Sequence, residues 1–146
     1  ECVKFLKSIA DKTEKFNTLD YEKNLISSSD WQHIGITAKH LAEQTNADGI
    51  IAITRTGETA NLVSNAKPKG FPIYTFTNNK STYTQLSLIG SSKPYLIGRL
   101  NNHDKALEKV ISILKEEHDT SENLKFILVS GIFSESHAEA IQIINT

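Results

Sequence analysis

A chain of 146 residues with 38% hydrophobic content is sized for one ordinary globular domain with a real core, so a second complete domain is not expected. Sixteen basic against seventeen acidic side chains leave a net charge of −1, so no global field draws nucleic acid or an anionic membrane, and neither is expected as a partner. The single cysteine, Cys2, excludes an internal disulfide, and with no signal peptide and no apolar run of membrane-spanning length the sequence predicts a cytoplasmic protein.

At the start, Cys2, Phe5, Leu6, Ile9, Ala10, Thr13 and Phe16 fall at helical spacing among lysines and acids. The stripe has no evident partner within a compact α/β unit, and a polar connection with Ser27, Ser28 and Ser29 follows it. The sequence contains no methionine and opens inside this helical pattern, so residues 1–27 read as the tail of a neighbouring domain and the chain as a piece of something longer. Ser29 or Asp30 then suits an N-cap for a helix from Trp31 to about Thr45, with Ile34, Ala38, Leu41, Ala42 and Thr45 on one face. Asn46 and Gly49 end it.

The next stretch, GIIAITRTGETANLVS, organises the rest. Ile50 to Ile53 is a continuous apolar run that suits a strand covered on both faces, as in a parallel sheet. The polar turn Thr54 to Gly57 leads into a helix from Glu58 or Thr59 to about Ala66. A helix that opens directly from a strand's carboxyl end offers unpaired backbone N–H groups and a positive dipole end, and Thr54, Thr56 and Thr59 add hydroxyl donors. That combination suits a phosphate. The same residues also fit a plainer role, in which Thr56 caps the helix and Gly57 relieves the turn.

Lys67-Pro68-Lys69-Gly70 stops that helix, and Phe71 to Phe76 is rich in strand formers. Asn78 and Asn79 form a turn before a short helix, Lys80 to Leu88. After the Gly90-Ser91-Ser92 break, Tyr95 to Ile97 is a third strand. Ala106, Leu107, Val110, Ile111 and Leu114 mark a helix over about Asn102 to Glu117, Leu124 to Val129 a fourth strand, and Ala140 to Ile144 a last strand with one covered face. The alternation predicts a mainly parallel sheet between helices. Only about nine residues, Ser130 to Ala138, precede the last strand, too few for a helical crossover, so it should be antiparallel and at an edge.

These residues resemble the carboxy-terminal domain of pyruvate kinase. The run IAITRTGETANLVSNAKPKGFPIYTFTNN is similar to the family pattern of strand, Thr-x-Ser/Thr-Gly-x-Thr/Ser-Ala, helix, Arg/Lys-Pro, then a strand ending in Thr and Asn, and the agreement continues through KFILVSG. The resemblance covers Ser28 to Thr146, and ECVKFLKSIADKTEKF resembles the last helix of the family's catalytic barrel. It implies a three-layer α/β/α fold with a five-stranded mixed sheet of order 3-2-1-4-5, strand 5 antiparallel. It also implies a domain that holds subunits together across a two-fold axis, here through the last strand and the 31–45 helix, and that joins the barrel of its own chain. A phosphorylated effector, a sugar phosphate or nucleotide monophosphate, is expected on the loop after the first strand.

By that resemblance Thr54, Thr56, Gly57 and Thr59 match the phosphate-cradling positions, with Arg55 in the same turn at a variable position and Ser134 and Ser136 able to donate from the loop after the fourth strand. Two departures stand out. Glu58 occupies a place where many members carry Arg or Lys, and a carboxylate that suits the helix dipole repels a phosphate there. GIFSESHAEA lacks the glycine-rich or arginine-containing loop and brings Glu135 instead.

No catalytic residue is assigned. The family's catalytic lysine and metal-binding acids, with the Mg²⁺ and K⁺ they serve, belong to the barrel, and no cofactor is expected in this piece. There is no GxGxxG after a strand, no Walker-type lysine, no GxSxG and no HExxH, and the five histidines have no metal-ligand spacing with Cys2 or with one another and read mostly as surface residues. Ser136 and His137 beside Glu135 are adjacent loop residues, which seldom face one another as nucleophile and base. Two classes remain: a non-catalytic regulatory and assembly domain of a pyruvate kinase, or a stand-alone α/β module that binds a phosphorylated metabolite.

Overall fold

The structure is a computed structural model that describes residues 2–14, 30–68, 70–98, 103–118, 123–130 and 140–146. In chain order the elements are α1 (Cys2–Glu14), α2 (Asp30–Thr45), β1 (Gly49–Ile53), α3 (Glu58–Asn65), β2 (Ile73–Thr77), α4 (Lys80–Leu86), β3 (Ser92–Leu96), α5 (His103–His118), β4 (Lys125–Ser130) and β5 (Ala140–Asn145). The strands form one sheet in the order β3-β2-β1-β4-β5. β1 pairs in parallel with β2, Ile50 opposite Ile73, and with β4, Ile51 opposite Leu128. β5 runs antiparallel to β4 at the edge, as its short connection requires.

The apolar run of β1 is divided between two cores. Ile50 and Ala52 pack with Ala38 and Ala42 of α2, Ala60 and Val63 of α3 and Leu86 of α4. Ile51 and Ile53 face the other way, with Tyr74, Phe76, Phe126 and Leu128, against Val110 and Leu114 of α5. Successive strand residues point to opposite faces, so a strand covered on both sides must be apolar throughout. The result is the three-layer arrangement expected from the sequence.

Small residues let α2 and α3 approach closely. A Cβ added at Gly35 would lie 2.5 Å from the backbone oxygen of Leu62, so only glycine fits at that crossing. α2 ends where Asn46 adopts φ 50 and Ala47 N–H donates to the Ala42 carbonyl at 3.0 Å, a left-handed stop that asparagine tolerates.

Several boundaries differ from expectation. Asp30 is the first residue of α2 rather than its cap, while Ser29, the 17–29 connection and Asn102 lie outside the described residues. β2 starts at Ile73, after Pro72, and extends to Thr77. β3 begins at Ser92, not Tyr95, because Ser91 at φ 59 completes the turn and an edge strand tolerates the missing N–H of Pro94. α4 stops at Leu86. In β5, Ile141 packs on the first core and Ile144 on the second, so both faces are in use. The odd spacing of these isoleucines decides this.

Candidate functional site

β1 is the middle strand, and the chain order reverses between it and β4, so the carboxyl ends of these two strands flank the switch point at which open α/β sheets take ligands. Thr54 N–H still belongs to the ladder, donating to the Phe76 carbonyl at 2.9 Å. The chain then leaves the sheet. Gly57, at φ 97, is the N-cap of α3 and has no side chain with which to cap it. Thr56 therefore does not serve as the cap: its Oγ1 accepts from Glu58 N–H only at 3.5 Å, and the residue is exposed. The firm bond inside the turn is from Gly57 N–H to Thr54 Oγ1, 2.9 Å, with Thr54 only 2% exposed. A positive φ at Gly57 is what lets the chain double back to make it.

The five candidate residues on this turn occupy different levels. Thr54 and Thr59 are buried against the sheet, Gly57 is buried, and Arg55 and Thr56 are exposed. Glu58 is exposed on the face of α3 that looks toward α2, where it lines a groove of about 360 Å³ with Trp31, Asn61, Leu62 and Asn65. Its carboxylate lies in the first turn of an eight-residue helix, where the macrodipole favours it and an incoming anion does not. Ser134 and Ser136, with Glu135 and His137, lie outside the described residues.

A contact that sequence reasoning missed comes from α4. Thr82, 4% exposed, donates from its Oγ1 to the Arg55 carbonyl at 2.9 Å. α4 is itself fixed by Asn79, whose Oδ1 accepts from Ser81 N–H (2.9 Å) and Thr82 N–H (3.4 Å), while Asn79 N–H donates to Thr77 Oγ1 (3.2 Å). The available signal was a short helix, KSTYTQL, with more hydroxyls than helix propensity favours.

A second polar cluster fastens the carboxyl end of α5 to β2 and β3. The Glu117 carboxylate accepts from Lys93 Nζ at 3.1 Å and from the Tyr95 hydroxyl, and Tyr74 Oη shares a hydrogen bond with His118 Nε2 at 2.8 Å. Tyr95 stacks on Phe76 at 4.9 Å, and Lys93 Nζ stands 5.1 Å over the Tyr74 ring. Burial pushes the Tyr95 phenol up, and its bond to Glu117 adds to that. Burial likewise raises Tyr74, partly offset by the charge of Lys93. For Glu117, burial alone would act upward, but the bonds from Tyr95 and Lys93 and the Lys93 charge outweigh it and hold the carboxyl below its usual range. Lys93 is raised, first by that same bond. Donors and acceptors here satisfy one another, which makes the cluster a fastening and leaves no activated nucleophile in it. Among the described residues no group of three His, Cys, Asp or Glu side chains is placed to hold a metal ion, and no helix is long and apolar enough to cross a membrane.

Residues 32–144 match the family model described as pyruvate kinase, alpha/beta domain. The chain is 27% identical over 131 residues to pyruvate kinase 2 of Synechocystis sp., an alignment covering 90% of this chain and 22% of that protein. It is 31% identical over 98 residues to a pyruvate kinase of Eimeria tenella, covering 67% of this chain and 18% of the relative. A solved pyruvate kinase of Cryptosporidium parvum superposes with a TM-score of 0.72 at 23% identity, over 83% of this chain and 23% of that one, a likeness of fold. The chain thus spans about a fifth of the length of the curated relatives it matches.

Proposed function

The chain belongs to the pyruvate kinase alpha/beta-domain family, and from that premise we propose that it is the non-catalytic regulatory and subunit-assembly domain of a longer pyruvate kinase, with a phosphorylated-effector site at the turn between β1 and α3. The observation that carries this reading is the position of the threonine turn. It opens a helix at the β1/β4 switch point of a sheet whose order and edge strand agree with the family's fold. In the whole enzyme, phosphoryl transfer from phosphoenolpyruvate to ADP, with its Mg²⁺ and K⁺, would be carried by a catalytic barrel elsewhere in the chain. The exposed stripe of Val3, Phe5, Leu6 and Ile9 on α1 would pack against that barrel.

At the turn, a phosphate would meet the amino end of α3 and the exposed Thr56 hydroxyl, with Arg55 as the nearest cation in sequence. Thr54 and Thr59 would support the cradle from below. Glu58 works against the anion.

Thermal titration with fructose bisphosphate, ribose 5-phosphate and AMP tests the site in the parent chain and in Glu58→Arg. A ligand that binds the folded state stabilises it by RT ln(1 + [L]/Kd), about 2.7 kcal/mol at a hundred times Kd, so the melting temperature should climb with concentration, and more steeply in the variant. Flat curves for every ligand in both proteins would retire the effector site and leave assembly as the domain's role.

A further inference from the structure

We infer that Thr82 is the positioning residue of the 54–59 turn: from α4, it holds the turn in a shape fit for an anion before any ligand arrives. This deepens, and rests on, the reading of that turn as an effector site. The argument begins with the peptide plane. Thr82 Oγ1 fixes the Arg55 carbonyl at 2.9 Å, and in a trans peptide the following N–H points opposite to that carbonyl, so this one bond turns the Thr56 N–H away from α4. Next along the chain, the Gly57 N–H is taken by Thr54 Oγ1. The orientation of the turn's backbone is thus set by two buried threonine hydroxyls, one from the turn itself and one from a separate helix.

The Thr82 methyl faces the same turn: a Cβ built on Gly57 would lie 3.7 Å from Thr82 Cγ2 and 4.0 Å from Leu86 Cδ2. The brace has a firm base. The Asn79 cap and the bond from Asn79 N–H to Thr77 Oγ1 tie the start of α4 to the carboxyl end of β2, next to β1 in the sheet. A turn fixed in this way loses little conformational freedom on binding, which is the general route by which preorganisation raises affinity. Ligand affinity at the turn is therefore governed partly by a residue that presents no group to the ligand.

The test compares Thr82→Val, which keeps the shape and removes the hydroxyl, with Thr82→Ser, which keeps the hydroxyl; Thr82→Ala takes the place of valine should that variant fail to fold. Hydrogen exchange at the Gly57 amide is read by NMR against the Ile50 amide, which donates to the Pro72 carbonyl within the sheet. Binding of inorganic phosphate is read from the same spectra. Thr82→Val should speed Gly57 exchange about fivefold or more with Ile50 nearly unmoved, and weaken phosphate by a similar factor. Thr82→Ser should restore both. If Gly57 and Ile50 lose protection together, or the serine variant behaves like valine, the positioning role is overturned. If the parent chain binds no phosphate while Gly57 exchange still responds selectively, the effector-site reading falls and the bracing of the turn by Thr82 stands.

Discussion

Thr54 and Thr56 are two positions apart in one turn, yet the structure gives them opposite weights. Removing the Thr54 hydroxyl leaves the buried Gly57 N–H without its acceptor, so Thr54→Val should cost about 1–3 kcal/mol. Thr56 is exposed and makes only a 3.5 Å contact, so Thr56→Ala should stay within about 0.5 kcal/mol. Urea midpoints decide, and equal losses in the two variants would contradict this division of roles. Glu58 is the residue through which the proposed effector site is tested most directly. Replacing it with Arg removes a repulsion of order 1 kcal/mol in a partly solvated site and adds an attraction of similar size, so phosphate-bearing ligands should bind roughly tenfold tighter or more.

Between elements, two contacts allow sharp tests. Alanine at position 35 should gain about 1 kcal/mol from helix propensity. Its methyl would meet the Leu62 carbonyl oxygen at 2.5 Å, however, and such overpacking typically costs 1–3 kcal/mol, so Gly35→Ala should be net destabilising in chemical denaturation. On the other face of the sheet, the fastening of α5 to β2 and β3 gives stability a pH signature. Glu117 has a lowered pKa in the folded chain, so its contribution is complete above the ordinary glutamate range and is lost as pH falls through the folded value. The Tyr74 and Tyr95 phenols are raised, so theirs is complete below about pH 10 and is lost as pH rises beyond it. Glu117→Gln should flatten the acid limb of the stability profile, and Tyr95→Phe the alkaline limb. A profile unchanged by both would show that the cluster does not fasten the helix.

For the molecule as a whole, β5 is an edge of the sheet. An edge strand presents unpaired backbone groups, and a two-fold pairing with another copy is the closed solution. Of the three isoleucines in β5, Ile141 and Ile144 are engaged by the two cores, so Ile143, 48% exposed, and Trp31, 41% exposed on α2, are the apolar side chains that such a pairing would use. Sedimentation at roughly 100 μM should show a dimer that Ile143→Lys shifts to monomer, and a monodisperse monomer of the parent chain would count against assembly through this edge. The same preparation, given phosphoenolpyruvate, ADP, Mg²⁺ and K⁺, should form no pyruvate, since this domain is read as the non-catalytic part of the enzyme. Turnover that survives repurification would overturn that reading.

The sequence by itself determined the kind and order of the elements from residue 30 onward, because their signals are local. An unbroken apolar run such as Ile50 to Ile53 suits a strand covered twice, Val110 and Leu114 fall on one helical face, and the short connection before Ala140 disfavours a parallel return. It also located the threonine turn, through Gly57 and the strand-to-helix switch around it. Tertiary structure alone decided which hydroxyl does what. Thr54, Thr56 and Thr59 look alike along the chain, but burial separates them, and the carbonyl of Arg55 meets Thr82 only because β2 returns beside β1 and carries α4 over the turn. The cluster of Lys93, Tyr95 and Glu117 was invisible for the same reason: Glu117 lies 24 and 22 residues from its two partners on β3, and only the packing of α5 on the sheet brings it within hydrogen-bond range.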